Sequence, residues 1–312
     1  MIYTVTLNPA MDKTVEIPEF SVNGVNRIAS VRTDPGGKGI NVSKVIKALG
    51  GESIALGVLE GNTGAAIEEA LKSAGISCDF TYAPGETRTN LKIIDPVAHT
   101  HTDVNEPGQE VSRELLAQVL SGLLARLKEK DIVVFSGSVP ENTPVEIYKL
   151  WTMACKEKGA RVFLDASGEL FSQGIEGVPY LVKPNRHELE QWAGRPLKSK
   201  GDLYRAGMEL LQKGISRVVI SLGEDGALFL SEKESWEAKG IPVPVGSTVG
   251  AGDAMVAALA LCMEENARAQ ETVSFAMATA AANVMCSGTQ AADKESVQML
   301  LSRVECKSCR IP

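Results

Sequence analysis

Residues 36–51 read GGKGINVSKVIKALGG, a stretch that begins and ends with glycine. Between the glycines, apolar residues recur at the spacing of one helix face: Ile40, Val42, Val45, Ile46 and Leu49. The final glycine pair is typical of a helix C-terminus, so the pattern predicts a helix over 38–49. A β-branched and aromatic run at 2–7 predicts a strand before this helix, and residues 53–58 predict a strand after it. The stretch therefore predicts a strand–helix–strand unit.

The same alternation continues along the chain. Further helices are predicted at 63–74, 111–127 and 144–158, and further strands at 76–82, 132–135, 161–165 and 180–182. Val133-Val134-Phe135 and Val218-Val219-Ile220 are continuous apolar runs, as in strands that helices cover on both faces. We therefore expect an α/β fold with a doubly wound, mostly parallel sheet flanked by helices.

Two segments interrupt the alternation, at about 12–34 and 88–105. In the second segment, residues 89–94 alternate polar with apolar side chains, which is typical of a half-exposed strand. Because both segments follow core elements that end at the same edge of a parallel sheet, we expect antiparallel strands that form a small β-sheet over that edge. We call this sheet the lid. The sequence has no internal repeat or low-complexity linker, so we expect a single domain over 1–312 with the lid inserted.

The composition argues against several classes of protein. The 312 residues carry 32 Lys and Arg against 39 Asp and Glu, a formal charge of -7 without a basic block, so nucleic-acid binding is not expected. The longest apolar run, 254–263, is far shorter than the roughly 20 residues of a membrane helix. Six cysteines are too few for a disulfide scaffold, and no secretory signal pattern precedes the first strand. We expect a cytoplasmic protein that does not act at a membrane.

Two glycine-rich segments precede predicted helices. In Pro35–Asn41, three glycines and Lys38 stand at a helix start, where free backbone amides and the positive end of the helix dipole favour a phosphate. The segment is not an ATP-binding P-loop, because Arg32 and Gly39 stand where that motif requires Gly and then Ser or Thr. A glycine-rich turn with a solvated lysine is the alternative interpretation.

The second segment, Thr248–Asp253, introduces a helix that is hydrophobic all round and is expected to be buried. The helix dipole would keep Asp253 ionised, and the amides of 250–252 could hold the charge on a transferring phosphoryl group. A plain N-cap aspartate is the alternative. The turns at 183–188 and 221–226 each follow a predicted strand, at the sheet edge where ligands bind in such folds.

Six motifs occur in order along nearly the whole chain: NPAMD from Asn8, GGKGINVSKV from Gly36, SGSVP from Ser136, LVKPNRHELE from Leu181, SLGEDGA from Ser221 and STVGAGDA from Ser247. Together they resemble the ribokinase-like (PfkB) carbohydrate kinases. Within that family, the opening TLNPA-x-D and residues 181–197 resemble the 1-phosphofructokinase branch. This resemblance implies ATP-dependent phosphorylation of fructose 1-phosphate to fructose 1,6-bisphosphate. Tagatose-6-phosphate kinase and a non-catalytic sugar-phosphate sensor on the same fold are the alternatives.

The resemblance also implies roles for individual residues. Asp253 matches the catalytic base, and the turn before it matches the family's anion hole: Gly250, Ala251 and Gly252. Asp12 would bind sugar hydroxyls, while Lys38 and Arg88 would bind the phosphate that the sugar already carries. The remaining sugar-side residues would be Gly37, Asn41, Ser138 and, from the lid, Arg27. The nucleotide-side residues would be Lys183, Asn185, Ser221, Gly223, Gly226, Thr248 and Asn283.

The resemblance implies ATP and Mg²⁺ as cofactors, with a monovalent cation as a further candidate. Glu188 would act on Mg²⁺, through water because this ion retains several water ligands. The expected partners are the sugar phosphate and ATP, without nucleic acid or membrane. A homodimer through the lid is also expected, since exposed strand edges favour pairing.

Two further features receive structural interpretations. Cys306 and Cys309 have the spacing of a metal-binding or redox pair, but no second pair completes a zinc site. His99 and His101 would project from one face of a lid strand, where a solvated hairpin is favoured over a metal site.

Overall fold

The computed structural model describes residues 1–309, and its elements follow the predicted alternation. The strands are β1 (Ile2–Thr6), β2 (Ala10–Glu16), β3 (Ser30–Gly36), β4 (Ser53–Glu60), β5 (Ser77–Ala83), β6 (Thr89–Asp95), β7 (Thr100–Asn105), β8 (Ile132–Ser136), β9 (Arg161–Asp165), β10 (Leu181–Val182), β11 (Arg217–Ser221), β12 (Ala227–Ser231), β13 (Ser235–Ala238) and β14 (Cys306–Cys309). The helices are α1 (Lys38–Ala48), α2 (Gly61–Ser73), α3 (Arg113–Arg126), α4 (Ile147–Glu157), α5 (Gly168–Gly174), α6 (Arg186–Ala193), α7 (Lys200–Gln212), α8 (Ala251–Glu264), α9 (Ala269–Met285) and α10 (Lys294–Leu301).

The larger sheet has the strand order β14-β13-β12-β11-β10-β9-β8-β1-β4-β5. From β11 to β5 neighbouring strands run parallel, and β12, β13 and β14 form an antiparallel extension. Every residue of β1 and β8 in the middle of the sheet is buried. The predicted mostly parallel sheet is therefore confirmed.

Helices cover both faces of this sheet because successive side chains of a strand point to opposite sides. Ile132 and Val134 pack on the face that α1, α8 and α9 cover. Val133 and Phe135 pack on the opposite face with α3, α4 and α7. Helix α8 is buried from Asp253 to Cys262, as its all-round apolar pattern predicts.

The smaller sheet is the predicted lid, with the strand order β3-β2-β6-β7. Strands β2 and β3 pair antiparallel, as do β6 and β7, but the central pair of β2 and β6 is parallel. The expectation of antiparallel strands is therefore wrong for this pair. The parallel pairing of β2 and β6 arises from the strands that precede them. Strands β1 and β5 run parallel in the larger sheet, so β2 and β6 leave the same edge in the same direction. The organisation of the chain as one domain stays a prediction.

The two lid histidines do not share a strand face. His99 lies in the turn between β6 and β7 with a φ of 54°, and His101 lies in β7. The expectation that both project from one strand is therefore wrong, because the turn extends through His99. Cys306 and Cys309 lie in β14 at the edge of the larger sheet. Within residues 1–309, no group of three or more His, Cys, Asp or Glu could hold a metal ion, and no helix is long and apolar enough to cross a membrane.

Candidate active site

A cleft of about 1190 Å³ lies between the lid and the carboxyl ends of the parallel strands. Lid strands β2 and β6 form one wall, and the loops after β8, β9, β10 and β11 form the other. All of the predicted site residues line this cleft except Arg27 and Asn283. The fold therefore brings together motifs that are widely separated in the sequence.

The glycine motif before α1 positions three of the site residues. Gly37 is the N-cap of α1 with a φ of 111°, a conformation that glycine adopts without strain. A Cβ atom at Gly36 would lie 2.1 Å from Oδ2 of Asp12, so a side chain there would displace this carboxylate. The helix start then presents Lys38 and Asn41 to the cleft.

Asp253 lies in the first turn of α8, directly after the second glycine turn. Gly250 is the N-cap, with a φ of 83°. The side chain of Asp253 is buried, and Nδ2 of Asn41 donates to its Oδ2 at 2.9 Å. Burial raises the pKa of Asp253 to about 6, although Lys38 acts in the opposite direction. The carboxylate is therefore mainly ionised at neutral pH but accepts a proton more readily than an exposed aspartate.

Two lysines beside Asp253 share a buried carboxylate that the sequence interpretation missed. Nζ of Lys38 and Nζ of Lys183 each lie 3.3 Å from Oδ1 of Asp165 at the end of β9. Burial alone would raise the pKa of Asp165, but the two lysines hold it below its usual value. Burial would likewise lower the pKa of Lys38, but Asp165, Asp253 and Glu188 raise it. The location of Asp165 at the carboxyl end of a predicted parallel strand is the signal that could have identified it.

The lid end of the cleft contains Asp12 and Arg88. Burial raises the pKa of Asp12, and Nδ2 of Asn90 donates to its Oδ1 at 3.0 Å, which opposes that shift. The Arg88 guanidinium donates to three main-chain oxygens at 2.8–3.3 Å: those of Asn8, Pro9 and Glu106. These contacts hold Arg88 in place at the end of the cleft beside Asp12.

Of the other two residues predicted on the sugar side, one lines the cleft and one does not. Ser138 lines the cleft, and its Oγ accepts a hydrogen bond from Nδ2 of Asn8 at 3.2 Å. Arg27 is exposed on the loop between β2 and β3, away from the cleft lining of this chain. Asn90 and Lys92 line the cleft but were missed. The alternation in β6 was the available signal, because residues two apart share a strand face.

The predicted nucleotide-side residues line a second part of the cleft, which also has apolar walls. These walls, also missed from the sequence, include Ile241, Val243, Val245, Met277, Ala281 and Val284. Apolar walls with a few polar groups suit a planar base. Asn283 is instead buried beneath the surface, where its Oδ1 accepts a hydrogen bond from the amide of Ala292 at 3.3 Å.

The N-x-x-E motif forms a capping box at the start of α6. The amide of Glu188 donates to Oδ1 of Asn185 at 2.8 Å, and the amide of Asn185 donates to Oε2 of Glu188 at 2.8 Å. The motif therefore stabilises the helix start as well as placing both side chains at the cleft. Oε1 of Glu188 is not used by this capping box.

Residues 5–296 match the sequence model of a protein family that is described as "pfkB family carbohydrate kinase". The chain belongs to the pfkB family of carbohydrate kinases, and it is a sugar-phosphate kinase with the ribokinase-like fold. Among its relatives, the 1-phosphofructokinase of Xanthomonas campestris is 40% identical over 268 residues, which cover 85% of this chain and 84% of that protein. The 1-phosphofructokinase of Bacillus subtilis is 35% identical over 308 residues, which cover 98% of this chain and 99% of that protein.

A solved structure shows the same architecture. Phosphofructokinase-2 from Escherichia coli, in complex with substrates and products, has a TM-score of 0.93 and 31% identity, covering 97% of this chain and 98% of that one. The same relative has been solved with fructose-6-phosphate, with potassium and in a tetrameric inhibited form. The family and the fold class predicted from the motifs are confirmed.

Proposed function

We propose that this kinase transfers the γ-phosphoryl group of ATP to the 6-hydroxyl of fructose 1-phosphate, which gives fructose 1,6-bisphosphate. The observation that carries the proposal is the buried Asp253, which lies after a glycine turn and beside Lys38 and Lys183 in a large cleft. The relatives named 1-phosphofructokinase support fructose 1-phosphate as the acceptor.

In the proposed reaction, the sugar oxygen bonds to the γ-phosphorus while the bond from that phosphorus to the ADP oxygen breaks. Asp253 orients the hydroxyl and accepts its proton late, once the oxygen is bonding to phosphorus. Asn41 donates to Oδ2 of Asp253, so we assign Oδ1 to the substrate hydroxyl. The pKa of about 6 suits this role, because a general base works best with a pKa near the operating pH.

The residues present fit a magnesium ion that accompanies ATP. Oδ2 of Asp165 is buried without a hydrogen-bond partner among residues 1–309, and Glu188 also lines the cleft. One or two carboxylates suit Mg²⁺, which completes its shell with water and phosphate oxygens. Bound Mg²⁺ would neutralise phosphate charge. The chain itself would stabilise the transferring phosphoryl group through the amides of 250–252 and through Lys38 and Lys183.

A monovalent cation is a further proposed cofactor, because the Escherichia coli relative has been solved with potassium. We expect turnover to fall when tetramethylammonium replaces potassium in the assay, because this ion is much larger than potassium and cannot take its place. An unchanged rate would contradict the proposal.

At the sugar end, we propose that Asp12 accepts hydrogen bonds from sugar hydroxyls and that Arg88 binds the 1-phosphate. A carboxylate can accept two hydroxyl bonds, and a guanidinium can bind a phosphate through two N–H groups. Lys38 was predicted to share the phosphate with Arg88. Its ion pair with Asp165 holds it near Asp253, so we assign Lys38 mainly to the transferring group.

Fructose 6-phosphate is the second candidate acceptor, since a relative at 30% identity has been solved with it. ADP release measured with fructose 1-phosphate, fructose 6-phosphate, tagatose 6-phosphate and free fructose separates the candidates. We expect the highest kcat/KM with fructose 1-phosphate. A preference for another sugar would overturn this acceptor, and no ADP release with any sugar would favour the non-catalytic sensor.

We also propose a homodimer formed through the lids. The lid exposes several large apolar side chains: Val22, Val25, Ile28, Val31 and Val104. A group of exposed apolar side chains is typical of an interaction surface, and the Escherichia coli relative has a tetrameric form. Sedimentation at micromolar concentration should show a dimer. A monomer both with and without substrate would contradict the proposal.

A further inference from the structure

Lys44 contacts the site from behind the cleft. It lies on α1, one turn after Asn41, and its side chain is mostly buried. Its Nζ donates to the main-chain oxygens of Pro35 at 2.9 Å and Thr289 at 2.8 Å, and to Oδ1 of Asn41 at 3.4 Å. Pro35 is at the end of lid strand β3, and Thr289 follows α9. A single ammonium group therefore joins the lid, α1 and the loop after α9.

The contact with Asn41 determines which way its amide faces. An ammonium group only donates hydrogen bonds, so Lys44 selects the amide oxygen of Asn41. The Nδ2 group then faces Asp253 and donates to Oδ2 at 2.9 Å. An ionised carboxylate only accepts hydrogen bonds, so this orientation matches the charged form of Asp253. The reversed amide would place an oxygen against the carboxylate.

Lys44 also lies close enough to two carboxylates of the cleft, Asp12 and Asp253, for their charges to raise its pKa. Burial lowers the pKa of Lys44, and the nearby positive charge of Arg32 lowers it further. The negative charges of three carboxylates oppose this effect: Asp34, Asp12 and Asp253. The other charged groups that face Asp253 are Lys38, Asp165 and Lys183. A buried cation whose counter-charges include Asp12 and Asp253 stabilises their ionised forms.

We propose that Lys44 is a positioning residue for phosphoryl transfer, which fixes the Asn41 amide so that Asn41 keeps Asp253 ionised and oriented. This inference rests on the proposed role of Asp253 as the base. It assigns a role to a residue to which the sequence motifs gave none. Without the ammonium group, Asp253 would be protonated at a higher pH, and fewer molecules would be competent at neutral pH.

Lys44→Met tests this role, because it keeps an unbranched apolar stem and removes the charge. We expect kcat to fall about tenfold or more, the scale of one charge-assisted hydrogen bond. We also expect the fall in kcat on the acidic side of its pH profile, its acid limb, to move to higher pH. The KM for ATP should stay within about twofold. Lys47→Met removes a charge from the same helix outside this network and should leave kcat and the limb unchanged.

A double-mutant cycle with Asn41→Leu tests whether Lys44 acts through Asn41. We expect Lys44→Met to have little further effect in the Asn41→Leu background, because the shared pathway is already broken. If the fold-decreases in kcat caused by the two substitutions multiply fully in the double variant, the inference is overturned. A folded Lys44→Met variant with normal kcat and a normal acid limb would also overturn it.

Two further variants keep the test decisive. If Lys44→Met fails to fold, Lys44→Arg retains the positive donor and should keep the acid limb of the wild type. A displaced limb in folded Lys44→Arg would then overturn the inference. Asp253→Asn separates the two proposals: retained turnover would overturn the base itself, whereas loss of turnover together with a normal Lys44→Met would overturn only the role of Lys44.

Discussion

Asp12 and Asp253 are two carboxylates of one cleft that differ in their surroundings. Each lies beside a glycine turn, and each accepts one hydrogen bond from an asparagine side chain, at 3.0 Å from Asn90 and 2.9 Å from Asn41. Asp12 lies on a lid strand and keeps partial exposure, whereas Asp253 is buried at the start of a core helix. The difference indicates that burial and neighbouring charge, rather than residue type, separate the proposed sugar ligand Asp12 from the proposed base Asp253.

Asp253→Asn changes the buried member and should have the largest effect. We expect kcat to fall about 100-fold or more because proton acceptance is lost, while the KM values for ATP and sugar phosphate stay within a few fold. Steady-state ADP release measures both. Glu265→Gln, just after α8, controls for the loss of one carboxylate. Wild-type kcat in a preparation free of host kinases would remove Asp253 from the mechanism.

Arg88→Ala tests the lid end of the cleft. We expect the KM for the sugar phosphate to rise about tenfold or more and the KM for ATP to stay unchanged, because one phosphate contact is lost. The guanidinium also binds three main-chain oxygens, so thermal unfolding is measured alongside. Lys13→Ala on β2 is the charge-matched control. A raised KM for ATP alone would place Arg88 on the nucleotide side.

Asp12→Asn changes the less buried member of the pair and should have a smaller effect. We expect the KM for the sugar phosphate to rise about five- to tenfold, since one hydroxyl contact weakens. In contrast to Asp253→Asn, kcat should fall by much less than 100-fold. A loss of kcat as large as that of the Asp253 variant, with unchanged KM, would break the distinction between the two carboxylates.

The pH dependence of the wild type sharpens the same comparison. The base must be ionised, and burial raises the pKa of Asp253 to about 6, so kcat/KM should decrease as the pH falls through about 6. Initial rates between pH 5 and 8 give this limb. Asp12→Asn should leave its position unchanged. A limb that shifts in Asp12→Asn would assign the titration to the lid carboxylate instead.

The smallest expected effect is on stability. Folding raises the pKa of Asp253 from 3.8 to about 6, so its contribution to stability is present below pH 3.8 and is lost as the pH rises through about 6. At pH 8, Asp253→Asn should therefore raise Tm by about 2–4 °C, and the gain should narrow at pH 5. Calorimetry at the two pH values measures this. A lower Tm of the variant at pH 8 would contradict the expected cost of burying this charge.

Much of this molecule follows from short-range sequence patterns. The periodicity of residues 36–51 predicted α1, and the apolar run after Asp253 predicted α8. The reason is that apolar side chains on one face of a helix, or all around it, are buried against the core. The glycine turns predicted the starts of the helices that carry Lys38 and Asp253, since Gly37 and Gly250 have positive φ values that favour glycine. Local backbone geometry therefore made these two parts of the site predictable.

The tertiary structure decided the features that depend on pairs of distant residues. The parallel pairing of β2 with β6 follows from the positions of β1 and β5 in the larger sheet. The end of predicted strand β9 is a signal for a site near Asp165, but its pairing with Lys38 and Lys183 depends on where three distant segments meet. The raised pKa of Asp253 likewise depends on packing around it. The sequence by itself determined the parallel strands, helices α1 to α4 and α8, and the glycine turns before α1 and α8. Burial and charge pairing arise between elements far apart in the chain, so only the folded structure decided them.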